Sequence, residues 1–347
     1  MRGEPTMRRV AVIEADRTHW SDSVIAGLAE RHEVVRLSVH SRLWHLGSQL
    51  LGESPAASLA AAVSVLATAD LAMPLSGDPN LAALCALAGV PVAGSRPAAI
   101  MLGHNWWATR LAAQDAGLDV APGVRVSRSL ARGLDYLDPV EVRPATRGPV
   151  PGRTHVACAT EFPLALERAF TYADHAVVEQ ALDGERVTVA VLRRADGAAL
   201  VSPPYLERPA AGAATPSWTG EIPVGAGRPF GGGGRTGARP PHTGPGPDLG
   251  RPGSGMPVGT GRGSAVTVAQ LDPIQRRRID HDALTLLTAL GATGAMTVTF
   301  TLGARAAVLD DVDLAPALGR RDAVPRLFAA AGTSYPALLD ALVETAR

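Results

Sequence analysis

The sequence predicts an α/β unit at the N-terminus followed by α+β units, and three observations carry that prediction. Over the first 95 residues short apolar runs alternate with helix-length segments, the pattern of a parallel sheet covered by helices. From Arg96 the order changes to a long helical segment followed by short strands separated by Gly and Pro. Further on, Met296, Val298 and Phe300 alternate with Thr297, Thr299 and Thr301, the period of two that gives a strand two different faces.

Taken in order, Arg9 to Ile13 reads as a buried strand, and Ser21 is placed to cap a helix carrying Val24, Ile25 and Leu28 on one side. Residues 56 to 68, rich in Ala and Leu, form a second helix. Leu71 to Met73 then read as a strand, Asn80 to Ala88 as a helix and Val90 to Ala93 as a strand, with the unit ending near Gly94-Ser95. A helix is expected from Arg96 through Ala116 with Gly117 as its stop, then strands at Gly123 to Val126 and Val140 to Arg143. The apolar run Ala176-Val177-Val178 leads into Glu179, and Val187 to Leu192 begins a hairpin turning at Asp196-Gly197. Asp272-Pro273 starts a helix whose residues Ile279, Ala283, Leu286, Leu287 and Leu290 keep helical spacing. The alternating strand after it turns at Gly303 and pairs with Val308 to Leu314.

The units divide at 1–95, 96–178 and 179–347. Within the last, residues 209 to 263 are dense in Gly, Pro, Arg and Thr, with Gly231 to Gly234 in succession. So few apolar side chains cannot offset the entropy of ordering the segment, and a mobile insertion is expected there.

A length of 347 residues suits two or three units with real cores. Apolar residues make up 46 % and charged residues 19 %, with zero formal net charge, so the basic face of a nucleic-acid binder is not expected. No apolar run has membrane-spanning length, and the N-terminus enters a strand without a signal-peptide core, so a cytoplasmic protein is expected. Cys85 and Cys158 stand apart in apolar surroundings and read as core filler. There is no lysine, so all 33 basic residues counted as Lys+Arg are arginine. Schiff-base chemistry and a phosphate-loop lysine are thereby excluded, and phosphate binding falls to arginine, backbone amides or a metal.

Several stretches, in one consistent order, resemble D-alanine-D-alanine ligases. They are Ala88 to Ser95, Ala116-Gly117-Leu118, Val178-Glu179 through Gly184 to Leu192, and the closing run from Gln270-Leu271-Asp272-Pro273 through Pro316 and Ala331-Gly332 to Tyr335-Pro336-Ala337-Leu338-Leu339. The resemblance implies the ATP-grasp fold with a Rossmann-like N-terminal domain. It also implies chemistry in which ATP phosphorylates a carboxylate and an amine attacks the acyl phosphate.

Site residues follow from that resemblance one by one. Arg143 stands where the family has a strand lysine on the ATP phosphates. Gly148 and Gly152 match its Gly-rich phosphate cover, although Pro149 and Pro151 stiffen the loop. Arg110 falls where a second lysine is usual, while Trp106 replaces the lysine four residues before it and reads as packing. Glu179 matches the acid beside the adenine, where a nucleotide or backbone partner would offset its burial. Arg186 takes the place of a ribose-binding glutamate, with Glu185 displaced to the opposite face. Asp311 and Asp313, two apart on one strand face, are the magnesium candidates, and Thr299 replaces the family's third ligand. Thr297 stands where an oxyanion-stabilising arginine would be, so the catalytic residues stay unassigned.

Ser76 to Asn80 is shorter than the family's first substrate loop, and Asp16 to Trp20, including His19, does not reproduce its glutamate region. The expected function is therefore an ATP- and magnesium-dependent carboxylate-amine ligase for amino acids other than D-alanine. Its partners would be small-molecule carboxylates and amines, and the chain could pair as a homodimer. The alternative is a degenerate homologue that binds nucleotide or a partner protein. A plain nucleotide-binding α/β protein would need a Gly-rich turn after the first strand, and Glu14-Ala15-Asp16 offers none.

Overall fold

The computed structural model describes residues 7–14, 20–39, 55–131, 133–136, 139–146, 153–194, 197–206, 267–303 and 307–346. Strands β1 (Arg9–Glu14), β2 (Glu33–Ser38) and β3 (Leu71–Pro74) form a parallel sheet in the order β2-β1-β3. The central strand β1 is buried on both faces, which is why it reads as a continuous apolar run. Val10 and Val12 pack with Val24 and Leu28 of α1 (Ser21–Ala29), whereas Ala11 and Ile13 pack with Leu66 of α2 (Pro55–Leu66) and Leu81 and Cys85 of α3 (Pro79–Leu87).

Two expectations change here. Trp20, not Ser21, is the N-cap of α1, and no side-chain cap bond forms, because Ser21 is already helical and buried. Val90 to Ala93 contributes only a bridge between Val92 and Ala72 instead of a full strand.

The helix expected from Arg96 to Ala116 is two helices, α4 (Pro97–His104) and α5 (Trp106–Asp115). Asn105 leaves the helical region at φ −98 and ψ 96, and its side chain accepts from the Ala108 amide, so it caps a fresh helix instead of continuing the old one. The break turns Trp106 and Arg110 into the protein interior. Strands β4 (Gly123–Ser127), β5 (Val140–Pro144), β6 (Thr154–Val156) and β7 (His175–Gln180) form an antiparallel sheet in the order β4-β7-β5-β6. One face is covered by α7 (Phe162–Phe170), whose Phe162, Ala165 and Leu166 meet Val140, Val142 and Val156, while the short α6 (Arg128–Ala131) follows β4.

The last sheet runs β11 (Thr267–Val268), β10 (Tyr205–Leu206), β8 (Glu185–Arg193), β12 (Gly294–Leu302), β13 (Ala307–Asp313), with β9 (Ala199–Val201) also on β8. Helix α8 (Pro273–Ala289) lies against it, with Asp272 accepting from the Ile274 and Gln275 amides and Pro273 at the first position, as the sequence predicts. Met296, Val298 and Phe300 are fully buried, but Thr299 and Thr301 on the opposite face are buried too. The hydroxyls of Thr188 and Thr299 meet at 2.7 Å.

Helices α9 (Ala323–Ala330) and α10 (Tyr335–Glu344) close the chain against α1. At Gly27 an added Cβ would lie 2.7 Å from Leu339, so glycine lets α1 and α10 approach. Cys158 is exposed, contrary to its reading as core filler, while Cys85 is buried. The 209–263 insertion lies outside the described residues. Among the described residues no helix is long and apolar enough to cross a membrane.

Candidate functional site

Two sheets bring arginines and acids together at one place. Glu179 on β7 is 3 % exposed, and both of its oxygens are engaged by side chains. Arg110 from α5 donates through Nη1 to Oε1 at 2.7 Å, Trp106 donates its indole N–H to Oε2 at 2.9 Å, and Arg143 Nη2 on β5 pairs with Oε2 at 2.8 Å. The partners of the buried acid are therefore protein side chains, where the sequence suggested a nucleotide or the backbone. Arg110 also donates to the Ala121 carbonyl at 2.6 Å. The Arg143 guanidinium stacks 4.0 Å over the Trp106 ring, so Trp106 is buried packing and at the same time the platform and hydrogen-bond donor of the cluster.

Arg143 also crosses to the other sheet. Its two Nη atoms donate to the Asp310 carbonyl on β13, both at 3.2 Å, and its Nη1 lies 4.0 Å from Asp311. Burial lowers its affinity for a proton and nearby Arg153 acts in the same sense, against the charges of Glu179, Asp311 and Asp310. Arginine stays protonated in proteins regardless, so the cluster keeps this cation.

Asp310 is a residue that sequence reading passed over. It is the extra residue in an irregular register, since Leu309 faces Phe300 and Asp311 faces Thr299 across the β12–β13 ladder. Its carboxylate is 1 % exposed, with Arg153 Nη2 at 2.6 Å and Arg186 Nη2 at 2.8 Å. Those contacts are close in distance but poorly aligned, and among the described residues neither oxygen receives a well-directed hydrogen bond. Burial would raise the Asp310 carboxyl, yet Arg153 and the charges of Arg186 and Arg143 outweigh it and hold the group below the usual carboxylate range. Arg153 is anchored in turn by Glu141 of β5 at 2.9 Å, and Asp310 with Glu141 raises it against the lowering effect of burial. The signal that could have found Asp310 is the Asp310-Asp311 doublet, which breaks strict alternation in a strand.

A matching family description is "D-ala D-ala ligase C-terminus", over residues 125–206. The D-alanine-D-alanine ligase of Corynebacterium urealyticum is 27 % identical over 82 % of this chain and 71 % of its own length, and that of Mycolicibacterium gilvum is 28 % identical over 82 % and 72 %. Among solved structures, the Bacillus anthracis D-alanine-D-alanine ligase complexed with ATP superposes with a TM-score of 0.65 at 15 % identity, covering 97 % of both chains. The VanG D-Ala:D-Ser ligase of Enterococcus faecalis gives 0.65 at 18 %, covering 97 % of this chain and 99 % of its own. The chain has the ATP-grasp fold of these structures and is similar in sequence to D-alanine-D-alanine ligases.

In this ATP-grasp protein the remaining candidates fall into three groups. Arg110, Arg143 and Glu179 are brought together as described. Asp311 and Asp313 share a face of β13 opposite Thr299 and Thr297, with Asp313 Oδ1 accepting from the Ala315 amide at 3.0 Å. Gly148, Gly152 and His19 lie outside the described residues. A separate cavity opens beyond the carboxyl end of β3, lined by Trp20, Met73, Leu75, Ser95 and Leu314 among others, and its described lining carries no charged side chain. That position, outside the carboxyl ends of parallel strands, is where α/β sheets usually bind ligands.

Proposed function

We propose that the chain is an ATP-dependent carboxylate-amine ligase of the D-alanine-D-alanine ligase type, acting through an acyl phosphate on an amino acid other than D-alanine. The observation that carries the reading is Arg143, which reaches from the central sheet to β13 and so sets a buried cation between the two sheets of an ATP-grasp fold. A transferring phosphoryl group needs positioning and positive charge more than covalent help, and a fixed guanidinium supplies both. In this lysine-free chain Arg143 takes the phosphates, and Arg110 and Trp106 hold it in place through Glu179.

Among the described residues no three His, Cys, Asp or Glu side chains gather into a protein-only metal cage. Asp311 and Asp313 instead fit a magnesium ion held jointly with phosphate oxygens, the usual way that ion is bound. When bound it would neutralise phosphate charge. The apolar cavity beyond β3 suits the acyl substrate, and its uncharged described lining favours an apolar side chain there. Thr297, a neutral hydroxyl, offers a developing oxyanion far less than an arginine, and this is the ground for placing D-alanine outside the substrate range. The relatives named above are all ligases by name, which gives the degenerate alternative no support.

Phosphate release from ATP, measured with a panel of amino acids with and without magnesium, tests the reading. Release that needs magnesium and one amino-acid pair is expected, with D-alanine alone inactive. Saturating ATP should also raise the melting temperature, by an amount equivalent to about 2.7 kcal/mol at a hundred times Kd, and Arg143→Ala should abolish the shift. No release with any pair, or D-alanine turnover on the order of ten per second, would overturn respectively the activity and the substrate assignment.

A further inference from the structure

We propose that Asp310, Arg143, Arg153 and Arg186 form an anion-exchange site, in which the Asp310 carboxylate is the resident anion of the ligand-free chain and a polyphosphate displaces it. The inference rests on the nucleotide reading above and adds how the site is held before the ligand arrives. Three guanidinium groups, from β5, from the residue preceding β6 and from β8, converge on one residue of β13. Arg143 takes the backbone carbonyl, while Arg153 and Arg186 take one carboxylate oxygen each.

A purely structural ion pair at this depth would be expected to show aligned hydrogen bonds, because burial of a charge is offset only by good geometry. The opposite is found. Among the described residues both Asp310 oxygens lack a well-directed bond, and two buried guanidinium donors in the same cluster, Arg153 Nη1 and Arg143 Nε, meet no acceptor. Buried donors are rarely left so, and each such case asks for an explanation. A carboxylate presents two oxygens on one carbon. A di- or triphosphate presents more acceptors, spread over several ångströms, and can reach donors that the single carboxylate leaves unused. Arg186 keeps 43 % of its side chain exposed, so the cluster is accessible from solvent on that side. The irregular register at Asp310 lets the carboxylate withdraw by a local change in β13 without breaking the β12–β13 ladder at Thr299 and Phe300.

Thermal-shift and calorimetric titration of the full chain with inorganic pyrophosphate and tripolyphosphate, at constant ionic strength, tests the exchange. Asp310→Asn should lower the melting temperature of the ligand-free protein and tighten tripolyphosphate binding by about tenfold, since the competing charge is gone. If Asp310→Asn binds tripolyphosphate no more tightly than the wild type, the exchange is refuted. Should that variant fail to fold, Arg186→Gln, a change at a half-exposed side chain, is expected to weaken binding severalfold, and an unchanged affinity refutes the site. ATP titrated against the wild type separates the two claims. Tripolyphosphate exchange without ATP binding would sink the nucleotide reading and leave the site standing. ATP binding with no gain in Asp310→Asn would sink the site alone.

Discussion

The N-terminal sheet and the junction of the two later sheets handle buried acids in different ways. Glu14, at the end of β1, is matched by Arg36 at 2.6 Å and Ser38 at 2.9 Å, partners only 22 and 24 residues away on the neighbouring strand. Asp310 draws instead on arginines of β5, of β8 and of the residue before β6, with Arg143 lying 167 residues away in sequence. The first arrangement follows from strand order alone: β1 and β2 are parallel and in register, with Glu14 opposite Ser38, so an acid at the end of one strand finds a partner at the end of the next. The second combines Arg186, two strands over in the same sheet, with Arg143 and Arg153 from the sheet that faces it. A local pair serves its own element, whereas a charge cluster between separate sheets can respond to something that enters between them.

The largest expected effect lies at the junction. Glu179→Ala leaves Arg110 and Arg143 buried without their shared counter-charge, and the loss of such a partner costs about 3–5 kcal/mol. Urea denaturation measures it. A loss below about 1 kcal/mol would erase the contrast with the N-terminal sheet, because the cluster would then not depend on its acid.

A smaller effect is expected from Glu14→Gln, about 2 kcal/mol at neutral pH, the range for hydrogen bonds to a charged group. Its pH dependence sharpens the comparison. Burial would raise the Glu14 carboxyl, but hydrogen bonds from Arg36, Ser21 and Ser38 hold it below the ordinary 4.5. A lowered folded-state value means that the stabilisation is complete above about 4.5 and disappears as pH falls through the folded value. The gap between wild type and Glu14→Gln should accordingly close in acid, and a gap that widened below pH 4 would reverse the sign of this account. ATP-induced stabilisation should be the same in both proteins.

The smallest effect should come from Asp272→Ala, which removes the α8 cap and touches neither region. It should cost about 1 kcal/mol by chemical denaturation, with no change in the response to ATP or tripolyphosphate.

Much of the architecture was legible before any coordinates. The run Val10 to Ile13, the Asp272-Pro273 helix start and the Met296, Val298, Phe300 alternation each depend on neighbours within a few residues, and each stands as read. The break at Asn105 was missed although Gly103-His104-Asn105 carries a local signal for it, glycine being a poor helix former and asparagine a favoured cap for a new helix. Arg143 and Glu179 were found as separate candidates. Their pairing, and the place of Arg110 and Trp106 around them, were not, since hydrogen bonds between α5, β5 and β7 have no sequence period.

By itself the sequence determined the kind of element at most positions, the absence of lysine, and so the fact that any phosphate cation must be arginine. Only the tertiary structure decided which arginines meet which acids. Residue spacing governs what a helix or strand can form within itself, but the charge around Asp310 is assembled by segments far apart in sequence, which strand order within one sheet and the packing of a second sheet bring together.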